Sequence, residues 1–254
     1  DSRRFFKITG ILVLLLTLVL VPPVLTGYAH LSQAESLLSN NLEQAAREYE
    51  SAALLLIWRS DLWEKAGMTA LEGENPELAL RLLERSPSLS SLGRLALGDS
   101  HYRLGDIQSG LVIWETLRDD SLVAPQAHNR LGHVYYLEGR YDDAVESFSI
   151  AAGLDELDSD SRYMLGLLKA VHSPEEALEP LIRAAQLDPK LDPVVQVLRS
   201  GLNAALLTSD RAAQLTGAGR TLVSVGAWTL AKRAFENAIS ADPRYASAWA
   251  WLGQ

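Results

Sequence analysis

Asn129–Ala152 reads NRLGHVYYLEGRYDDAVESFSIAA, two segments of helical spacing separated by a turn. In the first, Gly132 follows Leu131 directly and Tyr135 comes three residues later. In the second, Ala144, Phe148 and Ala151 form an AxxxFxxA stripe. Gly132 and Ala144 stand where a helical stripe would ordinarily carry a large side chain. Small residues at such places suit two helices that pack closely along their lengths.

The pattern recurs, and its recurrence separates an array from a single hairpin. With Pro125 as position 1, Leu131 is position 7, Gly132 is 8, Tyr135 is 11, Ala144 is 20, Phe148 is 24 and Ala151 is 27. A unit starting 34 residues earlier, at Ser91, puts Leu97, Gly98, His101, Trp114 and Leu117 at positions 7, 8, 11, 24 and 27. Upstream, Trp63, Gly67, Ala70, Ala79 and Leu83 fall at 4, 8, 11, 20 and 24. Downstream, Leu165, Gly166, Ala177, Leu181, Ala184 and Pro189 repeat the series with one residue lost from the turn. Ala231, Phe235, Ala238 and Pro243 close a unit in phase from Ala212, and Trp249, Leu252 and Gly253 open another. Ala45, Tyr49 and Ala52 read as the second helix of a degenerate first unit whose first helix begins around Ala29.

The sequence resembles the tetratricopeptide repeat family over roughly residues 29–254. The resemblance implies an all-α solenoid, a right-handed superhelix of stacked helix hairpins. The physical logic agrees. Small residues at 8 and 20 let paired helices approach, bulky ones at 4, 7, 11 and 24 fill the space, and Pro189 and Pro243 end second helices. One hairpin has too small a core to stand alone, so neighbours stack. The expected organisation is a basic flank and transmembrane helix over 1–28, two degenerate units over 29–90, and three units over 91–189. An irregular inserted helix over 190–211 comes next, then one unit and the start of another over 212–254. In the insert, Val194, Val197, Leu198, Leu202, Ala205 and Leu206 are expected to form an apolar face that packs within the array.

The first 28 residues differ in kind. Arg3, Arg4 and Lys7 precede 18 uncharged, mostly apolar residues from Ile8 to Leu25. At ~1.5 Å per residue these make about 27 Å of helix, near the ~30 Å of a hydrocarbon core. Phe5, Phe6 and Tyr28 are placed as interfacial anchors. Pro22 and Pro23 are expected to kink or end the helix near the far interface. A cleavable signal peptide shares the order basic, apolar, small, and Gly27-Tyr28-Ala29 suits cleavage after Ala29, but its core is ordinarily 7–15 residues. A retained anchor is the favoured reading. The basic flank then sets a cytoplasmic N-terminus and an extracytoplasmic body.

Composition excludes several functions. Hydrophobic residues make up 48% and charged ones 22%, enough to build a core. With no cysteine there is no disulfide, thiolate metal site or thiol nucleophile. The net charge is −9, and residues 1–26 carry one Asp against three basic residues, which leaves the rest at −11. So acidic a body does not track phosphate backbones, and nucleic acid is not an expected partner.

Motifs for chemistry are missing. There is no GxxxxGK[ST], GxGxxG or GxSxG, and Gly217-Ala218-Gly219 is too short for a phosphate loop. His128 and His133 are five apart, on different sides of a helix. His101 falls at a packing position. Asp142-Asp143 and Glu175-Glu176 start second helices, where acidic residues complement the helix dipole. Trp63, Trp114 and Trp249 occupy repeat core positions. Neither an enzyme activity, a cofactor, a metal nor a small-molecule substrate is expected.

What remains is the face of the first helices, which in this family is lined from positions 2, 5, 9 and 12. Those positions give Asp99 and Tyr102, then Gln126, Asn129, His133 and Tyr136, then Asp160 and Tyr163. A tyrosine-rich, hydrogen-bonding surface of this kind suits a peptide or a partner's segment. The family's carboxylate-clamp subtype needs Lys at 5 and Asn at 9, where the Ser91 unit has Leu95 and Asp99. The expected function is a membrane-anchored scaffold for protein–protein interaction, an accessory or assembly subunit of a membrane protein complex. Its alternatives are a receptor recruiting exported proteins in secretion or envelope assembly, and the targeting array of an enzyme or sensor whose other domain lies beyond Gln254.

Overall fold

The structure, a computed structural model, describes residues 2–253, with side chains described for residue 19 and residues 21–253. Among the described residues the chain forms fourteen α-helices, one 3-10 turn and no strand. It divides into two compact units, Asp1–Val123 and Ala124–Gln254.

In the first unit, α1 (Ser2–Leu37) pairs with α2 (Leu42–Leu55), α3 (Asp61–Glu72) with α4 (Pro76–Leu83), and α5 (Ser91–Arg103) with α6 (Ile107–Glu115). Asn41, Asn75, Ser90 and Asp106 cap α2, α4, α5 and α6, each side chain accepting a backbone N–H that the first turn leaves without a partner. The core runs from Leu31 and Ala34 of α1 through Tyr49, Leu62, Ala66 and Leu82 to Ala96 of α5.

Two expectations about the N-terminus are corrected or limited. No new helix begins near Ala29, and Pro22 and Pro23 do not end the first one, since α1 is continuous from Ser2 to Leu37. The carbonyl of Pro22 accepts from the Thr26 hydroxyl at 2.9 Å, and Leu31 and Ala34 are buried. Docking of the helix's C-terminal half outweighs the local cost of the prolines. The apolar run expected to span a bilayer lies for the most part outside the residues whose side chains are described. Among the described residues, no helix is long and apolar enough to cross a membrane.

In the second unit, α7 (Ala124–Leu137) pairs with α8 (Tyr141–Leu154), and α9 (Ser159–His172) with α10 (Pro174–Leu187). A 3-10 turn (Pro189–Leu191) leads into α11 (Asp192–Ala205), which packs between α10 and α12; α12 (Arg211–Ser224) pairs with α13 (Trp228–Ala241), and α14 (Ala246–Leu252) comes last. The buried face of α11 is Val195, Leu198, Leu202 and Ala205. Val197, expected to be apolar core, is exposed, and Val194 and Leu206 are only half-buried. Trp249, also expected in the core, is 55% exposed, with its indole N–H donating to the Pro243 carbonyl. The reason is that α14 packs on α13 and α12 through Ala248 instead.

Both α12 and α13 pack on α9. Asn237 of α13 donates to the carbonyl of Val171 at 3.0 Å, and the Arg211 guanidinium donates to that of His172. Two carbonyls at the C-terminal end of α9 are thereby satisfied across more than 35 residues of sequence, a cationic side chain at the negative pole of the helix among them.

The repeat positions acquire a physical meaning. A Cβ added at Gly67, Gly98 or Gly166 would lie 2.5 Å from Leu83, Trp114 or Leu181, and one at Gly132 would lie 2.9 Å from Phe148. Gly219 meets Phe235 in the same way. Position 8 is bare so that the side chain at 24 can lie on the backbone. Position 15, in the turn, has positive φ in four hairpins: Glu74 (57°), Gly105 (86°), Gly139 (74°) and Gly226 (78°). Where α9 meets α10 that residue is missing, and Ser173 alone joins the two helices.

Candidate functional site

In the second unit, successive first helices α7 and α9 carry six of the eight residues singled out from sequence. Asn129 and His133, one turn apart on α7, converge on Asp160 in the first turn of α9. Asn129 Nδ2 donates to Asp160 Oδ2 at 2.9 Å and to Ser161 Oγ at 2.9 Å, and His133 Nε2 lies 2.7 Å from Asp160 Oδ2. The hydrogen bond from His133 holds the Asp160 carboxyl below its ordinary value against the opposing effect of burial, with Asn129 and the charges of His133 and Arg130 adding to it. The His133 ring also stands edge-on to Phe148, centroids 5.0 Å apart. A repeat-core residue thus positions a surface one.

Beside this network is a cleft of about 390 Å³ whose lining includes Gln126, Asn129, Arg130, Asp155, Asp158 and Asp160. Gln126 Oε1 is buried there without a hydrogen-bond partner. Buried polar atoms are ordinarily satisfied, so this oxygen is a site where an incoming N–H group finds an acceptor. Tyr136 packs against Tyr141 at 6.0 Å, and burial raises the pKa of the Tyr136 and Tyr163 hydroxyls. Both phenols stay neutral donors and acceptors at physiological pH.

The remaining two candidates lie in the first unit, and they part company. Asp99 lines a groove of about 560 Å³ whose apolar lining includes Leu38, Met68 and Leu95 and whose charged lining includes Lys65, Glu72 and Arg103. Tyr102 packs on Trp114 of its own hairpin, ring centroids 5.6 Å apart. Met68 is position 9 of the Ser60 unit, so the register already in hand, applied one unit upstream, would have found it. A further cleft of about 570 Å³ lies among α11, α12 and α14 and includes Ala213, Thr216, Arg220 and Val223, positions 2, 5, 9 and 12 of the unit starting at Ala212. The same register applied downstream gives those four.

Other charged groups hold structure. His101 Nδ1 pairs with Asp106 at 3.1 Å, Asp143 with Arg140 at 2.7 Å, Glu175 with Arg211 at 3.1 Å, and Glu176 with Lys169 at 3.1 Å. Among the described residues no group of three or more His, Asp or Glu side chains is placed to hold a metal ion.

Helix hairpins in series, each glycine at 8 under a bulky 24, with polar and aromatic residues on the first helices, define a helical repeat protein. The tetratricopeptide repeat model matches residues 95–167 and 216–254. Over these two stretches the chain carries tetratricopeptide repeats. No curated protein sequence matches it. Among solved structures, MamA is 18% identical with a TM-score of 0.54, over 65% of this chain and 93% of that one. The C-terminal part of a TPR repeat-containing protein from Cytophaga hutchinsonii is 14% identical with a TM-score of 0.57, over 87% and 99%. The Cut9–Hcn1 hetero-tetramer of the APC/C gives 17% and 0.51, over 90% of this chain and 42% of that one. At such identities the likeness is one of fold.

Proposed function

We propose that this chain is a membrane-anchored scaffold whose first-helix surface binds other proteins, as an accessory or assembly subunit of a membrane protein complex. The observation that carries the reading is the α7–α9 surface. There a fixed Asn129–Asp160–His133 network stands beside a cleft containing the unsatisfied Gln126 Oε1, with Tyr136 and Tyr163 on the same two helices. Pre-organised side chains lose little entropy on binding, and tyrosine gives contact area with a polar tip. The basic flank and the uncharged run from Ile8 to Leu25 support anchorage, with the N-terminus cytoplasmic and the repeats extracytoplasmic. Anchorage raises the scaffold's effective concentration toward membrane partners. The similar Cut9 fold was solved as part of a hetero-tetramer, which is consistent with a role in assemblies.

The test is purification of the full chain from native membranes in mild detergent, with mass spectrometry of bound proteins. Stoichiometric integral membrane proteins, lost in Gln126→Ala or Tyr163→Ala, are the expected result. Recovery of the chain alone, or with soluble exported proteins only, refutes the subunit role.

A further inference from the structure

The α2–α3 connection carries a second surface that the repeat pattern does not explain. With the last two residues of α2 it reads Leu54-Leu55-Leu56-Ile57-Trp58-Arg59, apolar where a connection is ordinarily polar. Leu56 is fully buried, and it pins the connection to α1: a Cβ added at Gly27 would lie 2.7 Å from Leu56 Cγ and 3.1 Å from Leu55 Cβ. Its neighbours face outward. Ile57 is 82% exposed, Leu54 57% and Trp58 56%, while Leu25 and Tyr28 on α1 beside them are 65% and 46% exposed. Arg59 makes a two-pronged ion pair with Asp61 at 2.8 and 2.9 Å, and its guanidinium lies near the Tyr28 side chain.

We infer that this patch rests in the interfacial layer of the bilayer, making a second membrane contact that fixes how the first unit stands on its anchor. The inference builds on the anchorage proposed above. Three features select lipid as the occupant. The patch is continuous along α1 with the uncharged run that ends at Leu25: Val21 and Leu25, both exposed, share with Tyr28 the i, i+4, i+7 face of the helix, so one apolar surface crosses from helix to connection. It sits at the C-terminal end of that run, at the depth where a spanning helix leaves the hydrocarbon. Its chemistry is that of an interface: Trp58 and Tyr28 have amphipathic rings that settle at headgroup level, and Arg59 has an aliphatic stem with a charged end that reaches outward. A single helix alone leaves the repeats free to swivel about it. A second contact from a different helix connection removes that freedom and sets which faces of the first unit look away from the membrane.

The chain has no cysteine, so a single introduced one is labelled uniquely. Ile57→Cys and, separately, Val19→Cys, each carrying an environment-sensitive NBD fluorophore, are reconstituted as the full chain into phosphatidylcholine–phosphatidylglycerol vesicles. Nitroxide groups are placed near the headgroup or deep in the acyl chains. Both positions are exposed, so labelling leaves the core untouched. The expected result is a blue-shifted label at 57 quenched most by the shallow nitroxide, with the label at 19 quenched more by the deep one. Quenching at 19 but not at 57 leaves the anchor standing and overturns the interfacial contact. If the unquenched label at 57 is also shielded from aqueous iodide, a second copy of the chain covers the patch instead. Quenching at neither position overturns the anchor and this inference together. Quenching at 57 alone supports the lipid-facing patch and removes the spanning helix.

Discussion

Gly132→Ala and Gly153→Ala make the same chemical change in one hairpin, and the structure assigns them opposite signs. A Cβ at Gly132 would lie 2.9 Å from three carbons of the Phe148 ring, which has no solvent exposure and therefore no free space to move into. Favourable carbon contacts begin near 3.5 Å, so α7 and α8 must separate locally by about 0.6 Å. Overpacking of this kind costs roughly 1–3 kcal/mol. Replacing glycine within a helix returns roughly 0.5–1 kcal/mol of that. The net expectation is a loss of about 1–2 kcal/mol from the two terms. Gly153, in the last turn of α8, has nothing within 4 Å of an added Cβ, so only the helical gain of roughly 0.5–1 kcal/mol applies. Local opening is best read in the full chain by amide hydrogen exchange of peptides covering α7 and α8, since repeat arrays need not unfold in two states. Exchange should quicken on the order of tenfold in Gly132→Ala and slow in Gly153→Ala. If both slow, the claim that position 8 is bare to seat the residue at 24 is wrong.

Glu74 holds the positive-φ turn position that glycine fills in three other hairpins, so Glu74→Gly should stabilise α3–α4 by about 1 kcal/mol, and Gly139→Ala should weaken α7–α8 by a similar amount. Chemical denaturation midpoints check both. Asn237→Leu removes the donor to the Val171 carbonyl and should cost about 1–2 kcal/mol. Hydrogen exchange should rise in α12 and α13 while α7 is unchanged, and a uniform rise across the second unit would contradict that docking role. Because the folded state holds the Asp160 carboxyl below its ordinary value, the unfolded chain takes up this proton first as pH falls. The stabilisation is therefore complete above about pH 4, the ordinary carboxylate value, and is lost as the pH drops through the lower folded one. Asp160 is half in solvent, so the whole effect is at most about 1 kcal/mol. Asp160→Asn should flatten that acid limb in a denaturation series, and an unchanged limb would show that the His133–Asp160 pairing carries no stability.

Much of this protein is periodic, and periodicity is what sequence reports. Gly98, Gly132 and Gly166 recur at 34-residue steps because each must lie under a bulky residue sixteen or fifteen positions later, a constraint contained within one hairpin. The same local reasoning puts Asn129, His133 and Asp160 on first helices. It does not say that they share one carboxylate, because that depends on how two hairpins stack, roughly 30 residues apart. Nor could it choose Val195 over Val197 as the buried side of α11, since both lie in an apolar stretch and neighbouring helices decide which face is covered. Prolines 22 and 23 read locally as a break, yet α1 passes through them into Leu31 and Ala34, held by packing on α2. The sequence by itself determined the repeat, its helix pairs and the residues that let them touch, because those interactions fall within one period. Only the tertiary structure decided the seat of α13 on α9, the sharing of Asp160 and the outward turn of Ile57 and Trp58. Each of these arises where elements distant in sequence meet or fail to cover one another, and no local pattern encodes that.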